Sequence, residues 1–421
     1  MDVHASPDAL PELKGFLASF QVRFRRPEGA DALERYTTGL LTELPNKNCD
    51  TIAQALPGTS EQRLQEFLTN MQWEEDDLNG QRVHKMVAEA TLGDGVLVLD
   101  DTGFPKQGKA SVGVARQYSG TLGKVGNCQL AVTCCYADPQ ATWPVGVRLY
   151  LPKSWAEDSE RRCKARVPAD VSFQTKPEIA LMLLDQARAW GVPHRGVVAD
   201  ADYGDNPHFL AGLEARQERY VVAVRADFRV SEQKAATPSQ RIDQRLQALS
   251  RWQWRTIRWR QGTKGWLRKK FVAVRCWRVT TEGQRHVGWL LGERATRGRP
   301  EERKYYWSNL PASATVEELA GYAHRRYAVE QFHEEAKGEL GWDQYQGRLW
   351  SGFCRHAVTV MLAYSFLVWL ELRQRHSPRR RGRPRDPFSP SPGPTAADAA
   401  GDPSSGRPMA TPPSRPVVGH D

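Results

Sequence analysis

The chain has 421 residues, with 59 Lys and Arg against 49 Asp and Glu and a net charge of +10. That length allows more than one domain, and the basic balance (pI near 9.3) points to a polyanionic partner, most simply nucleic acid. Seven scattered cysteines without a CxxC pair argue against a disulfide framework or a zinc site, and fit a reducing cytoplasm.

The opening MDVHASPDALPELK has neither a basic n-region nor an apolar h-region, so no signal peptide is expected. Residues 1–95 read as helical. Apolar residues recur at helical spacing over residues 31–44, ahead of Pro45. Thr59 with Gln62 makes a predicted capping box for a helix over residues 64–71. Arg35, Lys47, Asn48, Gln62 and Arg63 interleave basic and amide side chains. That suits a small helical DNA-binding domain or, equally, an amphipathic bundle with a solvated face.

Residues 96–225 alternate in type. Val96-Leu97-Val98-Leu99 reads as a buried strand that ends in Asp100-Asp101-Thr102-Gly103. Neighbouring side chains on a strand point to opposite faces, so at least one carboxylate sits at the rim of an apolar sheet. A divalent cation is its natural partner, because hard cations take oxygen ligands. A Gly-rich basic loop spans residues 108–120, with strands expected at 128–136 and 145–151. Thr175 and Glu178 form a predicted capping box for a helix over 179–190. Gly196-Val197-Val198-Ala199-Asp200 is a second apolar strand ending in a carboxylate, and another strand follows at 220–225. The pattern predicts a mixed α/β sheet with helices on its faces.

Residues 226–312 alternate as antiparallel strands do, and read as a β-rich insertion. Trp252, Trp254, Trp259 and Trp266 lie there among many Arg and Lys. They could stack on unpaired bases or fill a small β core. Residues 313–373 read as helical; the apolar run over 357–370 is too short to span a bilayer and reads as a buried helix. The tail at 374–421 is basic, then Pro-rich, and is expected to stay disordered.

The helix around residue 330 carries a third carboxylate. Arg326, Glu330 and Lys337 fall within roughly 40° of one another on it, beside an apolar stripe of Val329, Phe332, Ala336 and Leu340. Such a face can be a solvated ion-pair stripe. Next to two strand-end aspartates it completes the constellation of two-metal phosphoryl chemistry, with Arg and Lys to hold phosphates.

The stretches VLDDTGFPKQGKASVGVARQYSGTLGKVGNCQ, SWAEDSERRCKARVP, VVADADYGD and RRYAVEQFHEEAKGELGWDQYQGRLWSGFCRH carry a resemblance, joined by PNKNCDTIAQALPGTSEQRLQEFL nearer the N-terminus. They resemble DDE transposases of insertion sequences, in the IS4-like group and within it the IS701 family. The resemblance implies an RNase H-like catalytic core with a β insertion before the Glu. It also implies Mg2+-dependent strand cleavage and transfer through two ions, for which Mn2+ substitutes. The substrate would be double-stranded DNA, at terminal inverted repeats and at the target, held by a homodimer at the bacterial nucleoid. In the family pattern the first catalytic Asp directly precedes Thr, which is Asp101 here, with Asp100 a structural neighbour. The second is Asp200 and the third Glu330, and these three are also the implied metal ligands. Lys109, Arg116, Arg326 and Lys337 are the expected DNA-backbone contacts. The signature Tyr falls on Ala323, so its role is carried onto Tyr322, one residue early.

Asp202 stands where similar proteins tend to have Gly. An added carboxylate beside Asp200 keeps a second reading open, a catalytically impaired DNA-binding derivative acting as a repressor. A carboxylate-pair glycosidase is a third reading, and it leaves the basic residues of the Glu330 helix unexplained.

Overall fold

The computed structural model describes residues 11–376 apart from 92, 122, 233–237, 263–264, 281–282 and 297–302. Five α-helices open it: α1 (Pro11–Leu17), α2 (Pro27–Leu41), α3 (Cys49–Ala55), α4 (Glu61–Thr69) and α5 (Glu75–Glu89). The cap of α4 is Ser60, whose hydroxyl accepts from the Arg63 N–H; the predicted Thr59 is one residue too early. Both are good capping residue types, so only the backbone path decides between them.

Four strands follow: β1 (Val96–Pro105), β2 (Ala115–Ser119), β3 (Lys124–Ala137) and β4 (Thr142–Leu149). Then come α6 (Lys153–Ala156), α7 (Ser159–Ala165), α8 (Lys176–Ala189), β5 (Val197–Ala199), α9 (Ala201–Gly204), α10 (Pro207–Ala215) and β6 (Tyr220–Val224). The Thr175–Glu178 capping box forms as the residues predict, and starts α8 at Lys176. β1 does not end at its aspartates. It runs on to Pro105, because the long β3 pairs with it antiparallel from Val96↔Ala137 to Pro105↔Cys128. On its other side β1 pairs parallel with β5, and β5 parallel with β6. The order β3-β1-β5-β6, one antiparallel contact and then two parallel ones, is an RNase H-like mixed sheet.

The insertion continues that sheet. β7 (Arg229–Val230) and β8 (Gln240–Arg241) make a small ribbon before α11 (Ile242–Gln247). β9 (Arg255–Gly262), β10 (Gly265–Val279), β11 (Arg285–Arg294) and β12 (Arg303–Ser308) then add to β6 through β12, in the order β6-β12-β11-β10-β9. The four tryptophans divide between the interior and the surface. Trp254 is buried under the Arg294 guanidinium and Trp259 stacks on His324 at 3.8 Å, while Trp252 and Trp266 are exposed.

The chain returns through α12 (Val316–Arg325) and α13 (Tyr327–Gly338) to α14 (Trp350–His376). α14 is long and apolar enough to cross a membrane, against the expectation from the shorter apolar run, but 83% of its apolar window is buried inside the protein. It is wrapped by β4 and by α2, α4 and α5. Arg82 of α5 is fully buried at that junction. Its Nη1 donates to the Pro144 carbonyl (2.6 Å) and to Ser365 Oγ (2.8 Å), and its Nη2 to the Val145 carbonyl (2.9 Å). Nε and Nη2 both donate to Asn79 Oδ1. One side chain thus ties α5 to the sheet and to α14. The tail beyond residue 376, with the expectation of a disordered basic segment, lies outside the described residues.

Candidate active site

β5 stops at Ala199 and β6 at Val224, while β1 and β3 continue past them. The step leaves an open ledge beside the middle of β1, at the carboxyl ends of the parallel strands. There the β1–β5 register, which pairs Leu99 with Ala199, brings Asp100 opposite Asp200. Asp200 follows the last paired residue of β5, and its carboxyl opens into the same cleft as that of Asp100, close enough for its charge to act on Asp100. A cleft of about 830 Å3 opens over them, bounded by Glu330 and Lys337 on α13 and by Lys176 on α8.

Alternation sends the two adjacent aspartates apart. Asp100 is 9% exposed and accepts from Arg326 Nη1 at 2.9 Å. Arg326, between α12 and α13, also bonds the Glu330 carboxylate, so one guanidinium joins Asp100 to Glu330. Asp101 points to the other face and accepts from Lys176 Nζ at 2.6 Å. Asp101 was expected to be the first member of the carboxylate set. It lines the same cleft and its charge acts on Asp200, but its side chain is held by Lys176 of α8, whereas Asp100 shares Arg326 with Glu330. The residues alone do not say which sheet face α13 covers.

The electrostatics follow from this crowding. Burial first, and then the Asp200 charge, push the Asp100 carboxyl up to about 8, although Arg326 pulls the other way. Asp200 is also raised, by burial and by Asp202. It caps α9, accepting from the N–H groups of Asp202 (3.0 Å) and Tyr203 (3.3 Å). Asp202 itself is exposed and ion-paired with Arg225 on the rim. Lys337 donates to the Gly103 carbonyl (2.9 Å) and to Thr121 Oγ1 (3.2 Å), and burial lowers it to about 8. His333 is half-buried, hydrogen-bonded to Thr133 Oγ1 at 2.9 Å, and pushed down to about 3 by desolvation, so it is neutral.

The cleft lining carries six carboxylates (Asp100, Asp101, Asp200, Asp202, Glu330 and Glu334) against four cations (Lys176, Arg225, Arg326 and Lys337), a formal balance of −2 in a chain of net charge +10. A polyanion meets repulsion here unless cations join the site. The donor set is all oxygen, which suits a hard divalent ion. Among the described residues no three carboxylates already converge as a finished ion site. Arg326 takes the counter-charge role between Asp100 and Glu330, and an ion bound by both would displace it.

Of the other expected contacts, Arg326 and Lys337 line the cleft. Lys109 and Arg116 are exposed but outside its lining, and Tyr322 is buried elsewhere, its hydroxyl donating to the Arg195 carbonyl at 3.3 Å. Lys176, Arg225 and Tyr118 line the cleft without having been singled out. Arg225 had a signal, since it follows the strand parallel to the one ending in Asp200. Lys176 had only its place at the first turn of a capped helix.

Two family models and one known transposase match this chain. Residues 16–266 match the family described as DDE superfamily endonuclease, and residues 174–366 match the transposase DDE domain. The first match contains Asp100, Asp101 and Asp200, and the second Asp200 and Glu330. The chain is 26% identical, over 318 residues, to a probable transposase for insertion sequence element IS701 from Microchaete diplosiphon, covering 75% of this chain and 76% of that protein. With more than half of its length matched, the chain belongs to the DDE superfamily of endonucleases, as a transposase-type member similar to IS701.

Proposed function

We propose that the protein is an insertion-sequence transposase that cleaves and joins DNA at the ends of its own element, with Asp100, Asp200 and Glu330 holding two Mg2+ ions. The observation that carries this reading is the ledge where β5 ends: it gathers a strand aspartate, the aspartate just beyond β5 and a helix glutamate into one cleft. Bound there, the ions would supply activation of the attacking oxygen and charge neutralisation at the scissile phosphate and leaving oxygen. The chain's residues do the rest. Arg326, once an ion takes over its carboxylates, can fork onto a phosphate, and Lys337 offers a point charge held by Gly103 and Thr121. His333 stays neutral and fixes α13 against Thr133 on β3. The substrate is double-stranded DNA, at terminal repeats and at the target, and bringing two ends together calls for two copies of the chain. Lys109 and Arg116 are proposed as DNA contacts outside the cleft. The repressor reading rested on Asp202, and the Asp202–Arg225 pair gives that carboxylate a place at the rim instead.

The test is Mg2+-dependent cleavage of a DNA fragment carrying the gene's own flanking sequences, with Glu330→Ala as control. Cutting at the element ends that disappears in Glu330→Ala is the expected result. Binding without cutting by the unaltered chain would return the repressor reading.

Asp100 also sets a pH dependence. In the cation-free fold its carboxyl keeps a proton between the ordinary 3.8 and about 8, whereas the unfolded chain has released it. The folded state then binds more protons, so this group's contribution to stability falls as pH rises through that window. A divalent ion needs the carboxylate, so it binds more tightly as pH approaches 8 and releases a proton on binding. Mg2+ should therefore raise Tm more at about pH 8 than at about pH 6. Equal shifts would mean that Asp100 is not a ligand.

A further inference from the structure

Asp101 and Lys176 form a second charged unit in the cleft, on the sheet face away from α13. Lys176 is the first residue of α8, and the Thr175–Glu178 capping box fixes that end of the helix. Its Nζ donates to Asp101 Oδ2 at 2.6 Å, and the side chains are 28% and 18% exposed. An ammonium has three N–H groups, so this contact leaves donors facing the cleft. The pair is too enclosed to be an ordinary solvated ion pair, and too open to be a sealed core pair.

The distribution of cations gives the unit its use. Arg326 and Lys337 belong to the α13 side. Arg225, at the end of β6, is taken up by Asp202 and Asp205. On the α8 side Lys176 is the cation among the described lining residues. A strand with one phosphate over Asp100 and Asp200 must run out past both sides, and each neighbouring phosphate needs a counter-charge.

We propose that Lys176 is a phosphate contact for DNA on the α8 side of the cleft, and that Asp101 is its positioning residue rather than a metal ligand. Asp101 holds the ammonium at the rim, and the phosphate adds to it without displacing it. This rests on the DNA reading of the same cleft.

The experiment is equilibrium binding of the full chain to the flanking-sequence duplex across a salt series, with Ca2+ at a fixed concentration in place of Mg2+ so that cations neutralise the cleft carboxylates. Lys176→Met should flatten the plot of log affinity against log salt by about 0.9, the release of one phosphate's counterions. Lys176→Arg should restore the slope. Asp101→Asn, which keeps the ammonium but loosens its hold, should leave the slope unchanged and lower affinity across the whole salt series, and unchanged affinity would remove the positioning role from Asp101. An unchanged slope in Lys176→Met, with unfolding matching the unaltered chain, would overturn the proposal. Absence of any salt-dependent binding by the unaltered chain would instead overturn the DNA reading itself.

Discussion

Arg82→Ala is expected to destabilise the fold by at least about 3 kcal/mol, the largest effect of any single substitution away from the cleft. Burial lowers the guanidinium to about 9, so it stays charged at neutral pH inside the protein. Among the described residues no carboxylate pairs with it; its charge is met by the Pro144 and Val145 carbonyls, Asn79 Oδ1 and Ser365 Oγ. Removing it leaves several buried acceptors short of donors, each costing roughly 1–3 kcal/mol, and opens a cavity besides. Asn79 Nδ2 still donates to the Val145 carbonyl, so the loss falls hardest on Pro144. Urea unfolding measures it. A loss below about 1 kcal/mol would mean that water enters and replaces the side chain. Arg82→Lys should fall between, since an ammonium keeps the charge but not the planar fork.

Asp100→Asn is expected to lower Mg2+-dependent cleavage by at least about a thousandfold, ~4 kcal/mol of barrier. An amide oxygen is a poor substitute for a carboxylate on a hard cation. The fold should tolerate the change well. Asp100 is already protonated at neutral pH in the cation-free chain, and an Asn oxygen can still accept from Arg326. Stability and activity therefore separate: unfolding stays close to that of the unaltered chain while cutting is lost. Cleavage within tenfold of the unaltered rate would remove Asp100 from the set.

Much of this site was legible before any coordinates. Two apolar runs ending in Asp, and a helix with Arg326 and Glu330 one turn apart, were enough to suggest one cleft. The sheet order then makes them neighbours, since β5 lies parallel beside β1. What the residues could not decide was the face. Alternation requires Asp100 and Asp101 to diverge, but which of them meets α13 depends on strand register and on where the helices pack. Asp101 was the natural choice because it precedes Thr102. The end of β1 was misjudged for a related reason. Thr-Gly-Phe-Pro looks like a strand stop, yet an adjacent 14-residue strand carries the ladder through it. Tyr322 fell outside the cleft because a helix turns about 100° per residue, so a one-residue offset moves a side chain to another face. Lys176 was invisible for the opposite reason: it comes from a segment 75 residues away in sequence, and a lone Lys at a helix start carries no pattern.

The decisive measurement compares Asp100→Asn and Asp101→Asn side by side, as Mg2+-dependent cleavage rates on the same flanking-sequence fragment. The account predicts that Asp100→Asn loses cutting while Asp101→Asn keeps it, with at most about a tenfold loss from a less firmly held Lys176. The reverse order, with Asp101→Asn inactive and Asp100→Asn active, would place the metal set on the α8 side of the sheet and contradict the assignment.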